Sequence, residues 1–101
     1  MEISQDELEV KINSGEKLIV DFYAEWCGPC KLMKPTFDRI SNENQNVQMY
    51  TLNVDSNKEL AVKLGVRSIP TIKVFSDGEL IENKVGAINE RDILKLIELL
   101  N

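Results

Sequence analysis

The segment Lys17–Tyr23, KLIVDFY, constrains the fold more than any other part of the sequence. Its apolar side chains fall on both parities, so either face of a strand built from it avoids water. A strand of that kind lies inside a sheet with helices over both faces, which predicts an α/β architecture. Asp21 alone breaks the run. The 101-residue chain is long enough for one such sheet and its helices, and it contains no repeat, linker or low-complexity tract. Residues 1–101 are therefore read as a single domain.

The flanking patterns fill in that frame. Ser4-Gln5-Asp6-Glu7 has the form of a capping box, and Leu8 and Ile12, with Val10 beside them, predict a short first helix ending near Gly15. From Cys27 to about Asn42, Leu32, Met33, Phe37 and Ile40 recur at helical spacing, with Pro35 inside as an expected kink. Val47–Val54 reads as a strand, and Lys58–Leu64 as a short helix stopped by Gly65. Thr71–Ser76 and Leu80–Val85 form a hairpin about Asp77-Gly78. Asn89 caps a last helix with Ile93, Leu96, Ile97 and Leu100 on one stripe. The order αβαβαββα, with room for a very short strand before the first helix, predicts a mixed sheet with helices on both faces.

Composition excludes several functions. Lys plus Arg number 12 against 17 Asp plus Glu, a formal charge of −5, so nucleic acid is not an expected ligand. The absence of histidine removes Ser-His and Cys-His catalysis and His-ligated zinc. Two cysteines cannot supply a four-thiolate zinc site, so no metal is expected. No stretch approaches the roughly 20 apolar residues of a membrane-spanning helix. The acidic start, Met1 to Glu7, does not have the form of a secretory signal, so the expected compartment is the reducing cytoplasm. Nothing in the sequence argues for an oligomer, and a monomer is expected.

Trp26-Cys27-Gly28-Pro29-Cys30-Lys31 stands where the buried strand passes into a helix. The pair is either inert (two buried thiols or a fixed disulfide) or redox-active. Context favours the second reading. Two intervening residues let both sulfurs meet on one helical turn, and the helix N-terminus offers unpaired N–H groups and a positive dipole end that favour thiolate. Cys27 is thus the expected nucleophile and Cys30, one turn in and more buried, the expected resolving thiol. Pro29 suits the first turn, where its missing N–H is no loss. Asp21 has two readings: a carboxylate turned to water, or a buried acid of raised pKa placed to take the proton from Cys30. Pro70, in Ile69-Pro70-Thr71, reads from the residues alone as a trans proline starting a strand. Trp26 is either a core residue or part of an exposed docking surface.

Taken together these segments resemble the thioredoxin family. The similarity runs from about Leu18 to the last helix. Val20 to Lys31 is close to the family signature, and Pro35 matches its helix-kinking proline. Leu52-Asn53-Val54-Asp55, Gly65 to Thr71, Phe75 to Glu79 and Val85-Gly86-Ala87 follow in order and register. The resemblance implies a thioredoxin fold, with a central mixed sheet of four to five strands and about four helices on both faces. It implies that Pro70 is cis, opposite the Cys27–Cys30 turn, and that the Ile69 backbone bonds an extended substrate. Trp26, Gly28, Pro29, Ile69, Pro70, Val85, Gly86 and Ala87 would form an apolar docking patch for disulfide-containing proteins.

The implied activity is that of a protein-disulfide reductase, an electron carrier in cell redox homeostasis that cycles a Cys27–Cys30 dithiol through a mixed disulfide. The chain has no Gly-rich dinucleotide loop, so no cofactor is expected to be bound. Electrons would come from NADPH through an external thioredoxin reductase. Glutaredoxin-like or isomerase-like relatives usually carry a different pair between the cysteines, and a non-redox accessory subunit gripping a partner is the alternative from another class. Two departures from the family stand out. Thr51 occupies the place of a buried lysine found in many relatives, which predicts a higher Asp21 pKa. The N-terminal segment is short, so the first strand should be reduced or missing. Tyr23, where tryptophan is frequent, is a conservative change.

Overall fold

The computed structural model describes residues 1–101. Its elements in chain order are α1 (Gln5–Asn13), β1 (Leu18–Tyr23), α2 (Gly28–Glu43), β2 (Gln48–Asn53), α3 (Lys58–Lys63), β3 (Thr71–Ser76), β4 (Glu79–Val85) and α4 (Glu90–Glu98). The four strands lie in the order β2-β1-β3-β4. β1 pairs in parallel with β2 and antiparallel with β3, and β3 and β4 form the antiparallel hairpin. β1 therefore has a neighbour on each edge, as its doubly apolar pattern requires.

Its two parities feed two cores. Leu18, Val20 and Phe22 pack with Ile3, Leu52 and Phe75, together with Leu8 of α1 and Leu60 of α3. Ile19 packs with Ile72 and Val74, together with Phe37 and Ile40 of α2 and Ile93 and Leu96 of α4. Complete burial of each such side chain is worth about 1.5–3 kcal/mol, so the two cores share the work of holding the sheet between its helix layers. Asp21 has the parity of Ile19 and faces α2.

Local signals explain most of the boundaries. Ser4 Oγ accepts from the Glu7 N–H at 3.2 Å, and Asn89 Oδ1 from the Asp92 N–H at 2.9 Å. Asp77 (φ 56°) and Gly78 (φ 82°) take the left-handed conformations of a tight hairpin turn whose twist suits the strands it joins. β4 begins at Glu79, one residue before the predicted start, and a register shift at Val74/Phe75 leaves Ile81 outside the pairing. α2 continues through Pro35, which removes one donor without ending the helix. Val10 and Leu32, counted among the apolar helix positions, are 64% and 81% exposed and take no part in either core.

The first strand is reduced to one parallel bridge, Glu2 to Thr51. The Ile3 N–H donates to the Thr51 carbonyl and the Thr51 N–H to the Met1 carbonyl, each at 2.9 Å, so residues 1–3 cover the outer edge of β2. The Ile69–Pro70 bond is cis. That corrects the trans reading drawn from the residues alone and agrees with the implication of the resemblance. No helix is long and apolar enough to cross a membrane.

Candidate active site

β1 ends at Tyr23, and four residues later α2 begins with Cys27 as its N-cap. Cys27 adopts the extended conformation of a cap (φ −86°, ψ 111°). Its Sγ accepts from the Cys30 N–H at 3.3 Å, its N–H donates to the Ala24 carbonyl at 3.2 Å, and its carbonyl accepts from the Lys31 N–H at 3.1 Å. The sulfur thus takes one of the donors that a helix start leaves unpaired, at the positive end of the helix dipole. Cys27 and Cys30 are joined in a disulfide with a Cα–Cα separation of 5.3 Å. In this oxidised state they are 4% and 2% exposed, so the expected contrast in burial is slight. Gly28 and Pro29, between them, are exposed.

The cis-proline turn lies against this helix start. Cys27 Sγ is 3.7 Å from the Ile69 carbonyl oxygen. Pro70 is buried, Ile69 half-buried, and the Gly86 N–H donates to the Pro70 carbonyl at 2.8 Å. Val85 pairs with Thr71 across the hairpin and remains 62% exposed, with Ala87 exposed beyond it. Trp26 is 70% exposed, which removes the core reading of that residue. Its Nε1–H donates to Asp55 Oδ2 at 2.8 Å, and the Asp55 N–H donates in turn to Asn53 Oδ1 at 2.9 Å. Asp55 was not singled out in the sequence as a holder of the indole, because its partner lies 29 residues away.

Asp21 is 1% exposed, which overturns the water-facing reading. It shares a cavity of about 430 Å³ with Cys30, Glu25, Lys34 and Thr51. Its Oδ1 has no hydrogen-bond partner. Burial pushes the carboxyl up to about 7; the Lys34 charge opposes this, while Asp38 and Glu2 add to it. Thr51 is the direct register partner of Asp21 on β2 and brings no cation. Lys34 was also missed in the sequence, although its position one turn after Cys30 was a readable signal.

The thioredoxin family model matches residues 1–99. The chain belongs to the thioredoxin family. A thioredoxin of Rickettsia typhi is 44% identical over 87 residues, covering 85% of this chain and 83% of the relative. One of Chlamydia muridarum is 40% identical over 95 residues, covering 94% and 92%. Among solved structures, a Plasmodium falciparum thioredoxin superposes with a TM-score of 0.86 at 36% identity, covering 97% of this chain and 95% of its own. A mutant thioredoxin from Halobacterium salinarum gives 0.84 at 36%, covering 97% and 86%. Membership carries the family's function: the chain is a thiol-disulfide oxidoreductase, a protein-disulfide reductase whose redox group is its own Cys27–Cys30 pair. Disulfide substrates and a reductase partner go with the family in general.

Proposed function

We propose that Cys27 is the attacking thiolate, Cys30 the resolving thiol and Asp21 the group that takes the Cys30 proton. The observation that carries this is the capping position of Cys27, where the Cys30 N–H and the start of α2 stabilise negative charge on Cys27 Sγ. In the reduced protein the Cys27 thiolate attacks one sulfur of a substrate disulfide. A Cys27–substrate bond forms, the substrate S–S bond breaks, and the other substrate sulfur leaves as a thiolate. Cys30 passes its proton to the Asp21 carboxylate across their shared cavity and attacks Cys27 Sγ. The Cys27–Cys30 disulfide forms as the second substrate thiolate leaves, and two electrons have passed to the substrate. A carboxyl with a pKa of about 7 is partly ionised near neutrality and suits this task.

Trp26, Gly28, Pro29, Ile69, Pro70, Val85, Gly86 and Ala87 form the surface that receives the substrate. The reading is supported by the exposure of Trp26 and Val85 and by the Cys27–Ile69 and Gly86–Pro70 contacts. Electrons reach the disulfide from NADPH through a thioredoxin reductase, and residues 1–101 work as one monomeric domain in the cytoplasm, in electron transport to protein disulfides. Trapping tests the division of labour. Cys30→Ser mixed with an oxidised peptide should accumulate a covalent adduct on Cys27, seen by mass spectrometry, whereas Cys27→Ser should form none. An adduct on Cys30 in Cys27→Ser, with none on Cys27 in Cys30→Ser, would reverse the roles.

A further inference from the structure

Glu2 plays no part in the exchange steps, yet its carboxylate is fixed by three donors. Oε1 accepts from the Tyr23 hydroxyl at 2.6 Å and the Thr51 hydroxyl at 3.1 Å, and Oε2 accepts from the Asn53 N–H at 3.2 Å. Its backbone is bridged to Thr51. Thr51 in turn is the register partner of Asp21, and both line the cavity that reaches Cys30. A threonine hydroxyl has a single proton to give. With that proton committed to Glu2, Thr51 donates nothing to Asp21, whose Oδ1 stays without a partner at 1% exposure. A buried carboxyl to which no protein group donates holds its proton to higher pH than an exposed one.

We propose that Glu2 is a positioning residue that holds the proton on Asp21: it claims the Thr51 hydroxyl and stands as a fixed negative charge behind it. Through Asp21, and resting on the base role given above, it sets the pH at which Cys30 is released for attack. The other groups facing Asp21 are Cys30, Lys31, Lys34 and Asp38 on α2, Glu25 before it and Tyr23 on β1. Lys34 is the counterweight. Its amine pairs with Asp38 at 3.0 Å and lies 5.9 Å from the centre of the Tyr23 ring, so its charge is shared rather than aimed at Asp21 alone. The directions agree with this geometry, Glu2 and Asp38 raising the Asp21 pKa and Lys34 lowering it.

The test is a carbon-13 NMR titration of the Asp21 carboxyl in the oxidised protein, where no thiol titrates. Glu2→Gln removes the charge and should lower the midpoint by about 0.5 in pH. Glu2→Ala also frees the Thr51 hydroxyl to turn inward and should lower it further, and adding Thr51→Val should restore part of that second step. Lys34→Gln should move the midpoint up. Opposite displacements in folded variants are something a merely structural role would not produce. An unchanged or higher midpoint in both Glu2→Gln and Glu2→Ala would overturn the proposal. The pH profile for resolution of a Cys27 mixed disulfide, measured on the same variants, tests the base role separately. A moved Asp21 midpoint with an unmoved profile would sink that role and leave the hold of Glu2 on Asp21 standing.

Discussion

At the scale of single residues, Asp21 is the costly one. An unfolded aspartate titrates near 3.9, and the buried one at about 7. Between those values the folded protein keeps a proton that the unfolded chain has lost, so stability falls as pH rises from about 4 to about 7 and is level above. The full difference amounts to roughly 4 kcal/mol. Asp21→Asn should therefore lose that slope and, at pH 8, unfold at a higher urea concentration than the wild type; an identical slope in both would show that Asp21 does not carry the charge burial. The oddity of Asp21 was legible because a lone acid interrupts an apolar run. Its direction was not, since a strand with apolar residues on both parities does not say which face the acid takes. The cis state of Pro70 was beyond residue-level reasoning, because X–Pro bonds are trans in most folded proteins and only the family pattern pointed the other way.

At the scale of elements, α1 and α3 cap one another. Asn57 Oδ1 accepts from the Gln5 N–H at 2.8 Å, and Gln5 Oε1 accepts from the Leu60 N–H at 3.0 Å. Asn57 Nδ2 also donates to the Asn53 carbonyl at 2.9 Å. Each helix start is thus satisfied by a side chain from the other, which ties the N-terminal segment to the β2–α3 loop. Asn57→Ala should cost about 1–2 kcal/mol and Gln5→Ala about 1 kcal/mol in urea unfolding. The double variant should lose less than the sum of the two, because the caps share one contact region; strict additivity would show that they are independent. The caps at Ser4 and Asn89 and the Asp77-Gly78 turn were readable because donor and acceptor lie within three residues of each other. The mutual caps join positions more than fifty residues apart, and local pattern carries no trace of them. Val10 and Leu32 show a related limit: apolar identity alone does not mark the buried side of a helix.

At the scale of the whole molecule, the doubly apolar β1 and the alternation of strands with helices made the layered mixed sheet legible. The strand order was fixed by pairings that the sequence does not state. The redox state also acts on the whole molecule. Closing the short Cys27–Cys30 loop removes chain entropy from the unfolded state, worth about 2 kcal/mol. The oxidised protein should therefore unfold at higher guanidinium concentration than the reduced one, and by linkage the fold favours the disulfide, which makes the dithiol a reductant. Equal midpoints for the two forms would remove that source of reducing power. Cys27 and Cys30 together reduce protein disulfides, and reduction of insulin with NADPH and a thioredoxin reductase reads that activity directly. The wild type should turn over, while Cys27→Ser and Cys30→Ser should not. Sustained turnover in Cys27→Ser, or none in the wild type even with dithiothreitol as the donor, would contradict it.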